Sequence, residues 1–260
     1  MYTIAIANEK GGVAKTTTTT SLAACLAQLE FRVLVIDLDP QANLTLAVGI
    51  DHTEVPSTIA DVLFSNSHST NGTVMKSLIH NLEIIPANQK IGMADRYLPL
   101  QPSYEYRLQT YLANYQNDYD FILFDCPPHL GTLTTTALTA ADLLLIPTQP
   151  EYFSVFALRN LMDLVRKVRK QTNPKLMYRL LITMYDRRNK IHRILSEHLR
   201  ESFNSGILET VIETDTKLRE SQIAGKPIIY HSPRSRSSYQ YQALAQEILC
   251  YVQENTPEPA

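Results

Sequence analysis

The sequence predicts an α/β fold, a mostly parallel and twisted sheet with helices on both faces. Strand-like and helix-like segments alternate along the chain, which is typical of parallel strands joined by helices. Several strand-like segments are continuous apolar runs, as expected for strands buried on both faces. The 260 residues are 44% hydrophobic, which is sufficient for one large core. We therefore expect a single domain over residues 1–254 and a flexible tail over 255–260.

Strands and helices are expected in the following order. The strands are predicted at 3–8, 32–38, 82–87, 121–125, 142–148, 178–184 and about 207–212. The helices are predicted at 16–29, 57–64, 104–115, 153–170, 190–202 and 238–254, with a polar loop at 65–73. Ligands of such folds bind at the carboxyl ends of the strands, so the residues that follow each strand are the candidates for a site.

The first strand leads into a glycine-rich loop with two lysines and a run of hydroxyl residues, Asn8-Glu9-Lys10-Gly11-Gly12-Val13-Ala14-Lys15-Thr16-Thr17. The backbone N–H groups of such a loop can surround phosphate oxygens, while Lys15 adds a positive charge and the Thr16 hydroxyl can hold Mg²⁺. The helix expected next points its positive end at the same anion. The loop predicts a nucleotide site; a strand–helix turn without a ligand is the alternative.

Three aspartates are expected at the carboxyl ends of neighbouring strands. Asp37 and Asp39 stand at alternate positions near the end of the β-rich run 32–41, and alternate residues of a strand share a face, so both are expected to emerge beside the loop. Asp125 ends the apolar run 121–125, which predicts a buried strand that delivers a carboxylate to the same edge. Mg²⁺ keeps part of its hydration shell, so Asp125 would hold it through water. Each acid alone is also compatible with an ordinary strand end.

The loop departs from the usual pattern G-x-x-x-x-G-K-[ST], because Glu9 and Ala14 stand at the two glycine positions. What remains, K-G-G-V-x-K-T-T, resembles the deviant Walker A box of the ParA/MinD ATPases. The segments D-L-D-P-Q, Y-D-F-I-L-F-D-C-P-P, P-T-Q-P-E-Y-F and G-K-P resemble further boxes of that family, and the likeness covers Thr3 to about Gln253. The chain is identified as a member of this P-loop superclass, most similar to the short, chromosomal (Soj-like) ParA partition ATPases.

The resemblance implies roles for individual residues. Nucleotide binding falls to Lys10, Gly11, Gly12, Val13, Ala14, Lys15, Thr16, Thr17 and Met184, and catalysis to Lys10, Lys15 and Asp39. The metal environment falls to Thr16, Asp37 and Asp125, with ATP and Mg²⁺ as cofactors. Lys10 is expected to reach across a dimer to the phosphates of the other subunit, and Asp39 to orient the attacking water. Ala14 replaces the glycine of most members, so slower turnover or weaker binding is expected.

Charge is distributed unevenly although the net charge is only −2. The segment 164–193 contains ten Lys/Arg and one acid, which gives it +9 and leaves −11 for the remainder. Such a distribution creates a local positive field, although a solvated helix face is the plainer explanation. The family resemblance favours DNA phosphates as the partner, with Arg188, Lys217 and Arg219 as contacts. Such binding is independent of sequence and sensitive to salt.

Three cysteines, Cys25, Cys126 and Cys250, lack C-x-x-C spacing, so neither a zinc site nor a disulfide framework is predicted. All three are expected to pack as small apolar side chains. No apolar run approaches the ~20 residues that span a bilayer, and the start of the chain leads directly into a strand, so no signal peptide is expected. These features predict a cytoplasmic protein, and the family resemblance implies that it associates with the nucleoid.

The family resemblance implies an ATP-dependent sandwich homodimer that binds non-specific DNA and positions DNA or another cargo. A ParB-like partner is expected to stimulate hydrolysis. No stable membrane association is expected, because the stretch 238–254 lacks the basic, bulky amphipathic character of a membrane-binding helix. Two alternatives stay open: a MinD-like membrane-associated positioning ATPase, and a metabolic P-loop enzyme that phosphorylates a small molecule.

Overall fold

The computed structural model describes residues 1–65, 72–115 and 117–255. Within these residues the chain forms one eight-stranded sheet in the order β3-β4-β2-β5-β1-β6-β7-β8. The strands are β1 (Tyr2–Ile6), β2 (Val33–Asp37), β3 (Met75–Lys76), β4 (Leu82–Ile85), β5 (Phe121–Asp125), β6 (Leu143–Thr148), β7 (Met177–Tyr185) and β8 (Ile207–Glu213). All pairings are parallel except that of β3 with β4. The predicted fold class is confirmed.

Helices cover both faces of this sheet. In the described residues they are α1 (Lys15–Gln28), α2 (Asn43–Ala47), α3 (Ile59–Phe64), α4 (Ala94–Tyr97), α5 (Arg107–Leu112), α6 (Thr132–Ala140), α7 (Tyr152–Gln171), α8 (Lys190–Phe203), α9 (Thr216–Ile223), α10 (Ile228–His231) and α11 (Arg236–Asn255). Short 3₁₀ turns join several of them.

Alternate residues of each central strand enter two different cores. Leu34 and Ile36 of β2 belong to the core shared with α3, α5, α6 and α7, whereas Val33 and Val35 belong to the core shared with α1 and α11. All four side chains are fully buried. Burial on both faces explains why these strands are continuous apolar runs and not alternating ones.

The strand register brings the predicted site segments to one edge of the sheet. Asp37 of β2 lies opposite Asp125 of β5, and Asp125 lies opposite Ile6 of β1. The carboxyl ends of these three neighbouring strands are therefore level. The loops that follow them meet at the same place, as in other open α/β sheets.

The seven predicted strands are present, each within two residues of its predicted ends. The two-residue strand β3 was not predicted, because two residues are too few to show a period. The single helix predicted at 104–115 is wrong: a six-residue α-helix, α5, lies between 3₁₀ turns at Tyr104–Tyr106 and Ala113–Tyr115. The helices α2, α4, α6, α9 and α10 were missed as well.

Helix α6 was missed because its sequence is rich in threonine, a weak helix former. Its hydroxyls donate back to main-chain oxygens one turn earlier, from Thr135 to Gly131 at 3.0 Å, Thr136 to Thr132 at 2.9 Å and Thr139 to Thr135 at 2.9 Å. These bonds satisfy the hydroxyls inside the protein, and packing of the helix on the sheet outweighs its low propensity.

The C-terminal helix α11 packs on α1 and β8, and its Leu244, Ile248 and Tyr251 are buried, as expected. In the part of the chain that the structure describes, no helix combines the length and apolar character needed to cross a bilayer. The predicted tail begins one residue too early, since Asn255 ends α11, and 256–260 lie outside the described residues. Of the predicted loop 65–73, residues 66–71 also lie outside them. Cys25 and Cys126 are buried as expected, but Cys250 is exposed.

Candidate active site

A cleft of about 870 Å³ lies at the carboxyl edge of the sheet. Its floor is the glycine-rich loop after β1, with Lys15 and Thr16 at the start of α1, and Asp39 lines one side. The opposite wall comes from Met184 at the end of β7 and from residues 212–222 of β8 and α9. A volume of this size accommodates a nucleotide.

The glycine-rich loop has the open, left-handed backbone that phosphate binding requires. Gly12 has a φ of +74°, and a Cβ added at Gly11 or Gly12 would meet no atom within 4 Å, so both glycines border free space. Ala14 also adopts a left-handed conformation, with φ 66° and ψ 34°, immediately before α1. This conformation favours glycine and strains an L-residue by roughly 1 kcal/mol.

Lys15 is a buried cation that forms no ion pair with any acid among the described residues. Its side chain curls back so that Nζ donates to the Lys10 main-chain oxygen at 3.2 Å, and the residue is 8% exposed. Desolvation lowers the pKa of Lys15, and the field of Asp125 opposes that shift in part. A buried ammonium whose hydrogen bond goes to a carbonyl is suited to receive an anion.

The hydroxyl of Thr16 and the carboxylate of Asp125 form the part of the site that suits a magnesium ion. Thr16 Oγ1 donates to Asp125 Oδ2 at 2.7 Å, and Thr19 Oγ1 donates to Asp125 Oδ1 at 3.1 Å. Burial is the main cause that raises the pKa of Asp125, and the neighbouring Asp37 raises it further. A divalent cation would restore the charged form of this buried carboxylate, so the donor set fits Mg²⁺.

Asp37 holds the loop that follows β2. Its Oδ1 accepts from the Asp39 N–H at 3.0 Å, and its Oδ2 accepts from the N–H and the hydroxyl of Thr45 at 2.9 and 2.8 Å. Burial raises the pKa of Asp37, and these hydrogen bonds oppose the rise. The structure therefore places Asp37 next to Asp125, but with both oxygens engaged by the protein.

Asp39 lines the cleft with 9% exposure. Its Oδ1 accepts from the Gln41 N–H at 2.9 Å, which fixes the carboxylate at the start of the loop. Asp37 ends β2, whereas Asp39 lies two residues beyond it, outside the strand, where its N–H donates to Asp37.

Lys10 lies at the outer end of the phosphate loop and is fastened to α7. Its Nζ donates to Glu151 Oε2 at 2.5 Å and to Ser154 Oγ at 3.4 Å, and its side chain is 25% exposed. The neighbouring Glu9 accepts from Asn160 Nδ2 at 2.7 Å. Both residues that precede the glycines are therefore tied to the same helix, and neither enters the cleft.

Two predicted nucleotide-binding residues, Val13 and Met184, differ in whether their side chains reach the cleft. The side chain of Val13 is fully buried below the cleft, and its main-chain oxygen accepts from Thr183 Oγ1 at 3.0 Å, which joins the loop to β7. Met184 lines the cleft with a φ of 53°. A left-handed conformation in a non-glycine residue at a strand end is the type of strain that accompanies functional sites.

The sequence interpretation missed the wall formed by β8 and α9. Thr214, Asp215, Thr216 and Gln222 line the cleft, as does Pro128 after β5. The signal was available for the first three, because they follow the last parallel strand at the edge where ligands bind. Gln222 lies in a helix that the pattern did not indicate.

Two of the three predicted DNA-contacting cations, Arg188 and Arg219, line the cleft, and Arg188 and Lys217 have acidic partners. Arg188 lies on the rim and donates from Nε and Nη2 to the two oxygens of Asp186, both at 3.0 Å. Lys217 Nζ donates to Glu220 at 2.7 Å. Arg219 lies on the rim and is exposed. The half-buried Asp186 carboxyl has its pKa lowered to about 2 by the Arg188 hydrogen bond.

Two further arginines converge on one buried acid. Arg187 Nη2 lies 2.7 Å from Glu213 Oε1 and Arg236 Nη1 lies 3.2 Å from Glu213 Oε2, and the Glu213 side chain is only 5% exposed. The basic segment therefore includes a charge that is neutralised internally. Its outward field is weaker than the count of cations indicates.

Comparison with known proteins places the chain among relatives. Residues 1–178 match the family model described as an AAA domain. The chain is 40% identical over 246 residues to the sporulation initiation inhibitor protein Soj of Bacillus subtilis, a match that covers 94% of this chain and 97% of Soj. It is 37% identical over 247 residues to the chromosome partitioning protein ParA of Myxococcus xanthus, covering 95% and 87%.

A solved structure shares the whole fold. Cobyrinic acid a,c-diamide synthase from Mycobacterium smegmatis, with bound ATP analogue and magnesium, is similar with a TM-score of 0.86 and 29% identity, covering 100% of this chain and 99% of that one. Fold and phosphate loop together define a P-loop ATPase.

The chain belongs to the AAA-domain family and, within it, to the ParA/MinD ATPases, close to the chromosomal ParA proteins. As a member it is an ATP-hydrolysing enzyme with ATP and Mg²⁺ as nucleotide and metal.

Proposed function

We propose that this ParA-like positioning ATPase forms a homodimer when ATP binds, holds non-specific DNA in that form, and releases it after hydrolysis stimulated by a ParB-like partner. The observation that carries the proposal is the pair of lysines on one phosphate loop. Lys15 is buried and turned into its own loop, whereas Lys10 is partly exposed at the outer end and is held away from the cleft by α7.

The placement of Lys10 supports dimerisation. A lysine that served only its own nucleotide would point into the cleft beside Lys15. Lys10 instead faces away from the cleft and pairs with Glu151. In a dimer, Lys10 would leave Glu151 and bind the phosphates of the ATP held by the second subunit. The exchange is favourable only when the partner's phosphates are present, so ATP would shift the equilibrium towards the dimer through differential contacts.

Catalysis would rest on positioning and electrostatics, since phosphoryl transfer needs little covalent chemistry from the protein. Asp39 would orient a water for attack on the terminal phosphate, and Lys15 would neutralise the charge that develops there. Thr16 would hold Mg²⁺ directly and Asp125 through water, and Asp37, opposite Asp125 in the sheet, would belong to the surroundings of the metal. The ion would neutralise phosphate charge.

The charged rim supports binding to a nucleic-acid backbone. Arg188, Lys217 and Arg219 are exposed on the side of the cleft formed by β7 and α9. Point contacts from such cations to phosphates hold DNA without reading its sequence. A dimer would present the set twice, so retention on DNA would depend on ATP, and association with the nucleoid would follow.

The first experiment separates dimerisation from hydrolysis with Asp39→Ala. The variant should still dimerise with ATP and Mg²⁺, because Asp39 is assigned to the water and not to the phosphates, while turnover falls by about 100-fold. Light scattering after size-exclusion chromatography and phosphate release would be measured on the same sample. A variant that hydrolyses ATP at the wild-type rate would contradict the role of Asp39.

The matched variant is Lys10→Ala, which should bind ATP in each monomer and fail to dimerise. If Lys10→Ala dimerises on ATP as the wild type does, the proposed exchange between subunits is wrong. DNA retention would be followed at several salt concentrations for all three proteins, and only species that dimerise should be retained.

A metabolic P-loop enzyme is the second candidate, favoured by the similarity to the synthase fold. Such an enzyme would hydrolyse little ATP without its small-molecule acceptor, and DNA would not change its rate. Stimulation by DNA together with a partner protein, without any acceptor, would favour the positioning ATPase. A membrane-binding role has less support, because Leu244, Ile248 and Tyr251 of α11 are buried in the core.

A further inference from the structure

In the threonine run at the start of α1, the hydroxyl of Thr17 is used differently from those of Thr16, Thr19 and Thr20. The hydroxyl of Thr18 lies 3.3 Å from that of Tyr241, and either of the two can donate. The hydroxyl of Thr16 donates to Asp125 Oδ2 at 2.7 Å, and that of Thr20 donates to the Thr16 main-chain oxygen at 2.7 Å. The Thr19 hydroxyl lies 3.1 Å from both the Lys15 main-chain oxygen and Asp125 Oδ1, and its single hydrogen is shared between these two acceptors. Thr17 Oγ1 instead accepts a hydrogen bond from Gln222 Nε2 of α9. The two residues are 205 positions apart in the chain.

The chemistry of this contact fixes the direction of the Thr17 hydroxyl. A carboxamide nitrogen only donates, so Thr17 Oγ1 is the acceptor and its own hydrogen remains available. Thr17 lines the cleft and directly follows Thr16. An anion in the cleft is therefore the natural acceptor for that hydrogen, and hydrogen bonds to charged acceptors are the stronger ones.

Helix α9, which carries Gln222, is held in place by hydrogen bonds at both ends. Helix α9 is capped by Asp215, whose Oδ1 accepts from the Lys217 N–H at 3.0 Å and whose Oδ2 accepts from Ser237 Oγ at 2.7 Å. At its other end the Lys226 N–H donates to the Ser221 main-chain oxygen at 3.1 Å. The helix is thus fixed at both ends while the Gln222 side chain extends to α1.

We infer that Gln222 is a positioning residue for nucleotide binding: it donates to Thr17 and so directs the Thr17 hydroxyl towards a phosphate oxygen of the bound nucleotide. The contact is made through Thr17, and Gln222 itself need not touch the ligand. We assign this oxygen to a phosphate that ATP and ADP share, so the Thr17 contact is present with both nucleotides. Gln222 then contributes uniform binding and not transition-state stabilisation.

The test uses the full chain with Gln222→Met, which keeps the length of the side chain and removes the donor. Titration calorimetry should show affinities for ATP and ADP that are both weaker by about fivefold to tenfold. In steady-state hydrolysis the KM should rise by a similar factor while kcat stays within about twofold. Gln222→Glu should bind more weakly still, because its carboxylate accepts the hydrogen that Thr17 otherwise offers to phosphate.

A double-mutant cycle separates positioning from a general structural effect. In a Thr17→Val background Gln222→Met should cause no further loss, whereas in a Thr17→Ser background, which retains the hydroxyl, the full loss should reappear. Gln109→Met, an exposed glutamine on α5, is the control and should bind as the wild type does. Melting temperatures establish that each variant is folded.

Unchanged affinity of Gln222→Met, or losses that simply add in the Thr17→Val background, would overturn the inference. A fall in kcat with unchanged KM would also overturn it, since the effect would then lie in the transition state. These measurements need neither DNA nor a dimer. Their failure would leave the proposed partition cycle standing, and failure of that cycle would leave this assignment intact.

Discussion

Two cations of this molecule, Lys15 in the phosphate loop and Arg188 at the end of β7, are held in opposite ways. Lys15 is 8% exposed and donates to a carbonyl, so its charge is desolvated, and it forms no ion pair with an acid in the described part of the chain. The side chain of Arg188 is 89% exposed, and its guanidinium is already bonded to both oxygens of Asp186. The buried cation gains strongly from an incoming phosphate, whereas the exposed one must exchange an internal carboxylate for an external anion and gains little.

The largest effect is expected for Lys15→Met. The loss of a buried cation opposite a polyphosphate should weaken ATP binding by at least about 100-fold. The nucleotide-free variant should melt at the same temperature as the wild type or higher, because a desolvated charge has been removed. Calorimetric titration and thermal melting check both outcomes, with Lys175→Met as an exposed control. If Lys15→Met bound ATP as tightly as the wild type does, the role of Lys15 as the buried cation that binds phosphate would be wrong.

The exposed side is tested by a pair of substitutions at one ion pair. Arg188→Glu should weaken retention on DNA by about tenfold and reduce the dependence on salt, since one phosphate contact is lost. Asp186→Asn should act in the opposite direction and strengthen DNA binding by about threefold, because the guanidinium no longer has to leave a carboxylate. Fluorescence anisotropy with labelled duplexes over a salt series measures both. Equal affinities for the two variants would show that this ion pair does not govern DNA binding.

A third expectation concerns pH in the nucleotide-free protein. Burial raises the pKa of Asp125, so the folded state keeps a proton that the unfolded state releases once pH exceeds about 4. The folded state therefore binds more protons than the unfolded state. Its stability falls as pH rises from about 4, the pKa in the unfolded chain, to about 8, the pKa of Asp125 in the folded state. Asp125→Asn should flatten that decline and melt a few degrees higher at pH 8 in the presence of a chelator.

Asp120→Asn is the control of opposite sign. The Arg32 hydrogen bond lowers the pKa of Asp120, so this group stabilises the fold above the ordinary carboxyl range and the contribution is lost on acidification. Melting curves from about pH 2.5 to 8 compare the two variants with the wild type, because the Asp120 contribution is lost below the ordinary carboxyl pKa of about 3.9 and the Asp125 contribution changes above it. A parallel slope for Asp125→Asn and the wild type would contradict the assignment.

The smallest effect is expected for Ala14→Gly. Glycine relieves the left-handed strain at φ 66° but adds freedom to the unfolded chain, so stability should change by less than about 1 kcal/mol. Turnover or ATP affinity should rise by about twofold to threefold, because the loop adapts to phosphate without strain. Ser103→Gly, with φ 54° far from the cleft, relieves the same kind of strain and should leave hydrolysis unchanged.

The parts of the fold that could be predicted from the sequence are those whose pattern has a simple physical origin. Buried parallel strands produce continuous apolar runs, so β1, β2 and β5 could be located, together with Asp37 and Asp125 at the ends of β2 and β5. The register that puts these two acids opposite each other is seen only in the structure. The loop between β1 and α1 could be interpreted because glycine, lysine and threonine each supply a distinct part of phosphate binding.

The missed parts depend on contacts that a local pattern does not contain. Helix α6 exists because its threonine hydroxyls bond one turn back and because it packs on the sheet. The partnership of Gln222 with Thr17 and that of Lys10 with Glu151 join residues more than a hundred positions apart. Pairing of Arg188 with Asp186 could have been anticipated from their spacing, but its effect on the basic segment required the geometry.

The strand order places the three strands that lead into the site in the interior of the sheet, away from its edges. Strands β2, β5 and β1 occupy the middle of the sheet and each has a hydrogen-bonded neighbour on both sides, while the antiparallel β3 and the irregularly paired β8 form the margins. Thermal fraying begins at margins, so amide protons there should exchange with solvent long before those behind Asp37 and Asp125. Local unfolding at the edges of the sheet therefore leaves the positions of Asp37 and Asp125 unchanged.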